Sequence, residues 1–239
     1  MAAGYANHVC VYCRKGRSTR TGDHVFARSF FAEDRRANLP KAPACLTCGN
    51  KKSAHEHYLA TVLPFGGMHG DATRNLNTLV EPKLARNQRL QRELAAGFEG
   101  SAERPDGSAA IPFETGHLRS LFEMVAQGLL WHHRKIYLPE SHSVVALTPP
   151  EETMPELTKL YQLGGDKVVG DVGQGTFRYA ANIAHNDTAM SVWFFQIMEG
   201  LKLTGDPERP DAIVSAVVAV TGTHSSIDLI KRVWLKEDL

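Results

Sequence analysis

Cys10-Val11-Tyr12-Cys13 and, further on, Pro43-Ala44-Cys45-Leu46-Thr47-Cys48-Gly49-Asn50-Lys51-Lys52 are the stretches whose reading decides the fold of this chain. They hold all four of its cysteines, as two CxxC pairs. Two residues between thiolates let both sulfurs reach one ion from a tight turn, as a tetrahedral zinc site requires. The spacing predicts one closed, structural site on Cys10, Cys13, Cys45 and Cys48 that clamps two knuckles together. Two redox pairs, or plain buried thiols, are the other readings of the same spacing. A thioredoxin-like motif, however, is a single pair in a βαβ setting, and no such alternation surrounds these residues.

Outward from the knuckles, the whole chain has 239 residues, 43% hydrophobic and 22% charged. That suits one large domain or two small ones and excludes a disordered, collagen-like or coiled-coil protein. Four cysteines are too few for a disulfide scaffold of this length. No apolar run approaches the roughly 18 residues of a membrane span. The first residues have no basic and apolar signal pattern, so the expected setting is cytoplasmic, with no membrane partner. The net charge of +1 hides an asymmetry. Residues 1–60 hold ten Lys/Arg against four Asp/Glu, a net of +6, and the remainder holds 17 against 22, a net of −5. A basic, metal-clamped segment on a mildly acidic body points to a polyanion partner.

Between the knuckles run Thr21-Gly22-Asp23-His24-Val25-Phe26-Ala27-Arg28 and Ala37-Asn38-Leu39-Pro40. The second knuckle leads into Ser53-Ala54-His55-Glu56-His57-Tyr58. The ordered set of first CxxC, Asp23-His24, Asn38-Leu39, second CxxC and Asn50-Lys51-Lys52 resembles the His-Asn-His (HNH) endonucleases, and especially a bacterial subgroup of them. The resemblance covers about residues 8–62. It implies a ββα-metal fold, a β-hairpin plus a helix around one catalytic metal, braced here by a zinc on four cysteines. It further implies hydrolysis of phosphodiester bonds, most often in DNA.

That chemistry needs a base for the attacking water and a cation for the charge that builds on phosphate. His24 can accept a proton near neutral pH. Asp23 is a hard oxygen ligand suited to Mg²⁺ or another divalent ion. By resemblance, Asn38 holds the hairpin loop, Asn50 is the final metal ligand, and Arg28, Lys51 and Lys52 meet nucleic-acid phosphate. The family usually carries Asn or His directly after the last cysteine, where this chain has Gly49. One residue is about 100° of helix rotation. Asn50 therefore serves as a ligand if the helix starts late, with Gly49 in a turn; Glu56 and His57, two turns on, are the substitutes. His55 and His57 otherwise read as a solvated helix face, and His8 as structural.

Residues 75–94 read as helix interrupted at Pro82, and residues 97–112 as a turn-rich linker. Leu118, Leu121, Phe122, Val125 and Leu129 mark an amphipathic helix that ends near His132-His133, a solvated end rather than a second metal site. Residues 175–183, 191–198 and 212–220 read as strands. The expectation is an α+β protein: a zinc-braced module over residues 1–62, a helical connector over 63–114, and a small antiparallel α+β unit over 115–239 with no legible chemistry. The rival to an enzyme is a zinc-knuckle module of the same fold that binds nucleic acid or a protein without cutting. Either could be a subunit of an anti-phage or mobile-element system, with residues 115–239 as the surface for a protein partner.

Overall fold

The structure, a computed structural model, describes residues 4–19, 21–99, 114–149, 153–199, 203–204, 213–214 and 216–235. It is an α+β fold. Of the predicted linker, the first residues, 97–99, close a helix that ends at Glu99, and residues 100–112 lie outside the described residues.

The chain opens with a small loop tied by a Val9–Arg17 bridge, which carries the first knuckle. Strand β1 (Asp23–His24) pairs antiparallel with β2 (Lys41–Ala42), with Asp23 opposite Ala42 and His24 opposite Lys41. Two 3₁₀ turns, Arg28–Phe30 and Glu33–Arg35, fill the space between these strands. Helix α1 (Leu46–Val62) follows directly. The connector is segmented: α2 (Gly70–Asn75), a π turn (Leu76–Val80), α3 (Glu81–Arg86) and α4 (Gln88–Glu99). Pro82 sits in the first turn of α3, where its missing N–H costs no hydrogen bond, so it starts a helix there.

The long helix α5 (Thr115–Arg134) fits the apolar spacing read from the sequence and closes at Lys135 in the left-handed region, with the Lys135 N–H on the Trp131 carbonyl. After it come β3 (His142–Leu147), α6 (Met154–Gln162), β4 (Asp166–Val172), β5 (Phe177–Ile183), β6 (Ser191–Ile197), β7 (Leu203–Thr204), β8 (Ile213–Val214), β9 (Val217–Thr223) and α7 (His224–Trp234). Five strands form one antiparallel sheet in the order β3-β9-β6-β5-β4, and β7-β8 pair separately.

Alternation along the strands explains the layering. On β9, Val217 and Ala219 face a core shared with α5, while Val218 and Val220 face α6 and α7. On β6, Trp193, Phe195 and Ile197 take the first side and Val192 and Phe194 the second. Both faces are covered, so these strands read as nearly continuous apolar runs. The main core is not confined to the sheet and α5. Phe26 stacks on Phe177 at 4.9 Å, and Phe30 and Phe31 meet the same ring edge-on at 5.2 and 5.7 Å. The basic N-terminal segment therefore shares its apolar interior with the sheet.

Candidate metal centre and the Asp23–His24 site

The two knuckles meet at the start of α1. The Cys10 N–H donates to the Gly16 carbonyl at 2.8 Å and the Arg14 N–H to the Cys10 carbonyl at 2.8 Å, which curls the first CxxC into a tight turn. The second CxxC is the N-terminus of α1: Cys45 is the cap residue, and its sulfur accepts from the Cys48 N–H at 3.5 Å. A helix N-terminus favours negative charge, which suits a thiolate. The Val11 N–H on the Pro43 carbonyl and the Thr19 N–H on the Ala44 carbonyl, at 2.9 and 2.8 Å, lock the knuckles together.

The four sulfurs lie within 4.8 Å of one another. A tetrahedron with metal–sulfur bonds of about 2.3 Å has edges of about 3.8 Å; Cys13 Sγ and Cys45 Sγ are 3.8 Å apart. The cluster can hold a metal ion such as zinc. The thiols are not equivalent. Burial pushes the Cys13 thiol up, but N–H groups of Gly16 and Lys15 and the neighbouring thiols outweigh it and bring it down to about 6. Burial raises Cys10 and Cys48. Gly16 leaves room for the cluster: a Cβ there would stand 2.8 Å from Cys45 Cβ and 3.0 Å from its sulfur.

Asp23 and His24 occupy the whole of β1, so the strand ends where its two side chains diverge. The Asp23 carboxylate turns to α1. Its Oδ2 lies 3.1 Å from Lys52 Nζ and accepts the Tyr12 hydroxyl at 2.9 Å. Burial and the Asp23 charge push the Tyr12 phenol up, which keeps it a donor. Lys52 also donates to the His24 carbonyl at 2.7 Å and to Glu56 Oε1. Burial raises the Glu56 carboxyl despite the Lys52 charge beside it. His24 is half-buried, and burial lowers its imidazole, helped by the charges of Lys41, Arg28 and Lys52.

The other residues read from the sequence sit as follows. Asn38 holds a turn between β1 and β2 with φ +56°, a left-handed conformation that Asn tolerates better than most residues. Arg28 is exposed at the first 3₁₀ turn, and Lys51 and Asn50 are exposed on α1. The late helix start does not occur: α1 begins at Leu46, and the Gly49 N–H already bonds the Cys45 carbonyl at 2.9 Å. Gly49 is thus a helical residue with empty space where a side chain would be. Lys52 is not a surface contact for phosphate. It is fully buried, hydrogen-bonded to the His24 carbonyl and Glu56 Oε1 and ion-paired with Asp23. Glu56 faces Lys52 instead of serving as a substitute ligand. His55 pairs with His117, Nδ1 to Nδ1 at 3.1 Å, and so ties α1 to α5.

At Asp23 the Oδ2 oxygen is already shared between the Lys52 ammonium and the Tyr12 phenol, and Asn50 is exposed on α1. Among the described residues, the four cysteines are the one group of three or more His, Cys, Asp or Glu side chains gathered closely enough to ligate a metal. Sequence reasoning missed Tyr12, Lys41 and the inward role of Lys52. The i, i+4 spacing of Lys52 and Glu56 was the available signal for the last.

Comparison with family models, with curated proteins and with solved structures found no match to this chain.

Proposed function

We propose that this chain is a zinc-braced nucleic-acid phosphodiesterase of the HNH type, with DNA as its substrate and His24 as the base that activates water. The observation that carries the reading is the setting of His24. It is an imidazole of lowered basicity, neutral near pH 7, on a hairpin whose second strand leads into a helix capped by Cys45 of the four-cysteine cluster, with Arg28 and Lys41 close enough to lower it further. A neutral base beside cations is what attack on a phosphodiester asks for. His24 takes a proton from the water as its oxygen bonds to phosphorus, the P–O bond to one sugar oxygen breaks, and that leaving oxygen takes a proton from solvent, while Arg28, Lys41 and Lys51 hold the non-bridging phosphate oxygens. Asn38 braces the loop. The zinc holds the knuckles and takes no part in the chemistry.

The test is plasmid nicking by the full-length, zinc-loaded chain and by its His24→Ala variant. The variant is expected to lose at least about a hundredfold in rate, the usual worth of a placed base. It should keep its zinc and its melting temperature. An undiminished rate in that variant would remove His24 from the role.

A second reading has its own observation. The Lys52–Asp23 pair and the bare helix position at Gly49 favour a module that binds nucleic acid without cutting it. In that case the parent chain retards DNA in a gel at low salt and leaves it intact, with or without added Mg²⁺ or Mn²⁺.

A further inference from the structure

Helix α1 places an ammonium where the resemblance calls for a metal. Lys52 Nζ is sealed from solvent, and desolvating a charge is costly unless its partners are close and complete. Here they are complete. The ammonium donates to the His24 main-chain oxygen at 2.7 Å and to Glu56 Oε1, and its charge is paired with Asp23 Oδ2 at 3.1 Å. Tyr12 adds a fourth polar group to the cluster through Asp23. Every partner of the ammonium is an oxygen, two are carboxylates, and one belongs to the backbone of the residue read as the base. This is the donor set of a hard cation, with a side-chain cation already in it.

We propose that Lys52 is the resident cation of the Asp23 site, and that the site takes no divalent metal.

Two further features agree with it. The helix position one turn before Lys52 is Gly49, which has no side chain to offer a metal, and no atom lies within 4 Å of where its Cβ would be. A divalent ion at Asp23 would also stand within a few ångströms of the buried ammonium, a repulsion that low-dielectric surroundings strengthen. Lys52 meanwhile does what a bridging metal would do mechanically: it ties α1 to β1 through the His24 carbonyl. The exclusion of metal stands by itself; the consequence for cleavage rests on the hydrolytic reading above.

The experiment uses the full-length, zinc-loaded chain, dialysed free of other metals. Mn²⁺ is titrated in and its binding followed by electron paramagnetic resonance, while plasmid nicking is measured with and without added Mn²⁺. The parent is expected to show no saturable Mn²⁺ site tighter than about 1 mM, and any nicking it performs is expected to be unchanged by Mn²⁺. The double variant Gly49→Asn, Lys52→Met is expected to bind Mn²⁺ at least about tenfold more tightly than the parent. Saturable Mn²⁺ binding by the parent that is lost in Asp23→Asn would overturn the proposal, as would nicking that requires Mn²⁺. Absence of nicking under every condition, with no Mn²⁺ bound, would sink the hydrolytic reading while upholding the assignment of Lys52. If the double variant does not fold, the parent titration decides alone.

Discussion

Helix α1 is anchored twice, and the two anchors solve the same electrostatic problem in opposite ways. At its first turn, four thiols gather into a cluster whose negative charge needs a cation from outside. One turn further on, Asp23 and Glu56 gather around a cation that the helix itself supplies. The first anchor draws strength from an ion it does not itself supply, so that strength follows metal concentration and thiol protonation. The second is complete in the bare chain. A cluster of potential ligands is therefore no measure of metal demand until the lysines around it have been placed.

The difference can be broken at either end. The largest effect is expected from Cys45→Ser, which removes both a metal ligand and the sulfur that caps α1. Metal binding supplies about 10–16 kcal/mol in isolated zinc-finger peptides. Here the shared apolar core carries part of the burden, and a loss on the order of 5 kcal/mol is expected. Metal content by mass spectrometry and urea unfolding check it; a variant that retains one zinc per chain and parental stability would refute the site.

Lys52→Met comes next. Removing one partner of a buried pair strands the other, and a loss of about 3–5 kcal/mol is expected. Adding Asp23→Asn and Glu56→Gln should recover much of it, because no uncompensated carboxylate remains. Equal stability of the single and triple variants would show that the ammonium and the carboxylates are not coupled. Unlike Cys45→Ser, both variants keep all four cysteines and should keep the parent's zinc content.

A smaller effect tests how tightly this pair of anchors is pressed against α5. A Cβ on Gly128 would lie 3.0 and 3.2 Å from the two methyls of Val25, the residue after the Asp23–His24 strand. Gly128→Ala gains helix propensity and meets this crowding, so a net destabilisation of about 1 kcal/mol is expected. Thermal unfolding measures it. A stabilised variant would mean that the hairpin yields.

The mildest test concerns a buried carboxyl with neither kind of anchor. Glu123 on α5 accepts the Ala146 N–H at 3.4 Å, and burial raises its proton affinity above the ordinary carboxylate value. A raised folded-state value means that the folded chain holds the proton longer than the unfolded chain does. The contribution of Glu123 is therefore full in acid and is lost as pH rises through the raised value. Glu123→Gln removes this dependence, so the variant should gain on the parent between acid and neutral pH in urea titrations. Parallel stability curves would contradict the burial argument.

The parts of this fold that announce themselves in sequence are those with local rules. CxxC spacing brings the four sulfurs together in one cluster, and the apolar period over Leu118 to Leu129 becomes α5. The alternation after Gly175 becomes β5. Strand β4 was missed because Asp166, Lys167 and Val169 leave it mostly exposed at the sheet edge, with little apolar signal. Helix α1 was hard to read for the opposite reason. Its buried side starts with Lys52 and Glu56 and turns apolar only at Leu59, so charge masks the inward face. Lys52 was read as a phosphate contact because the partner that buries it, Asp23, lies 29 positions earlier; no local window contains both.

The ring of Phe177 has one more implication. It belongs to the sheet, yet three phenylalanines between the knuckles close upon it. A segment cut after residue 62 would expose Phe26, Phe30 and Phe31 together as an oily patch of the kind that drives aggregation. The cysteine knuckles are thus not a portable cassette. The sheet keeps these three rings dry, and a chain split between them is expected to lose that cover.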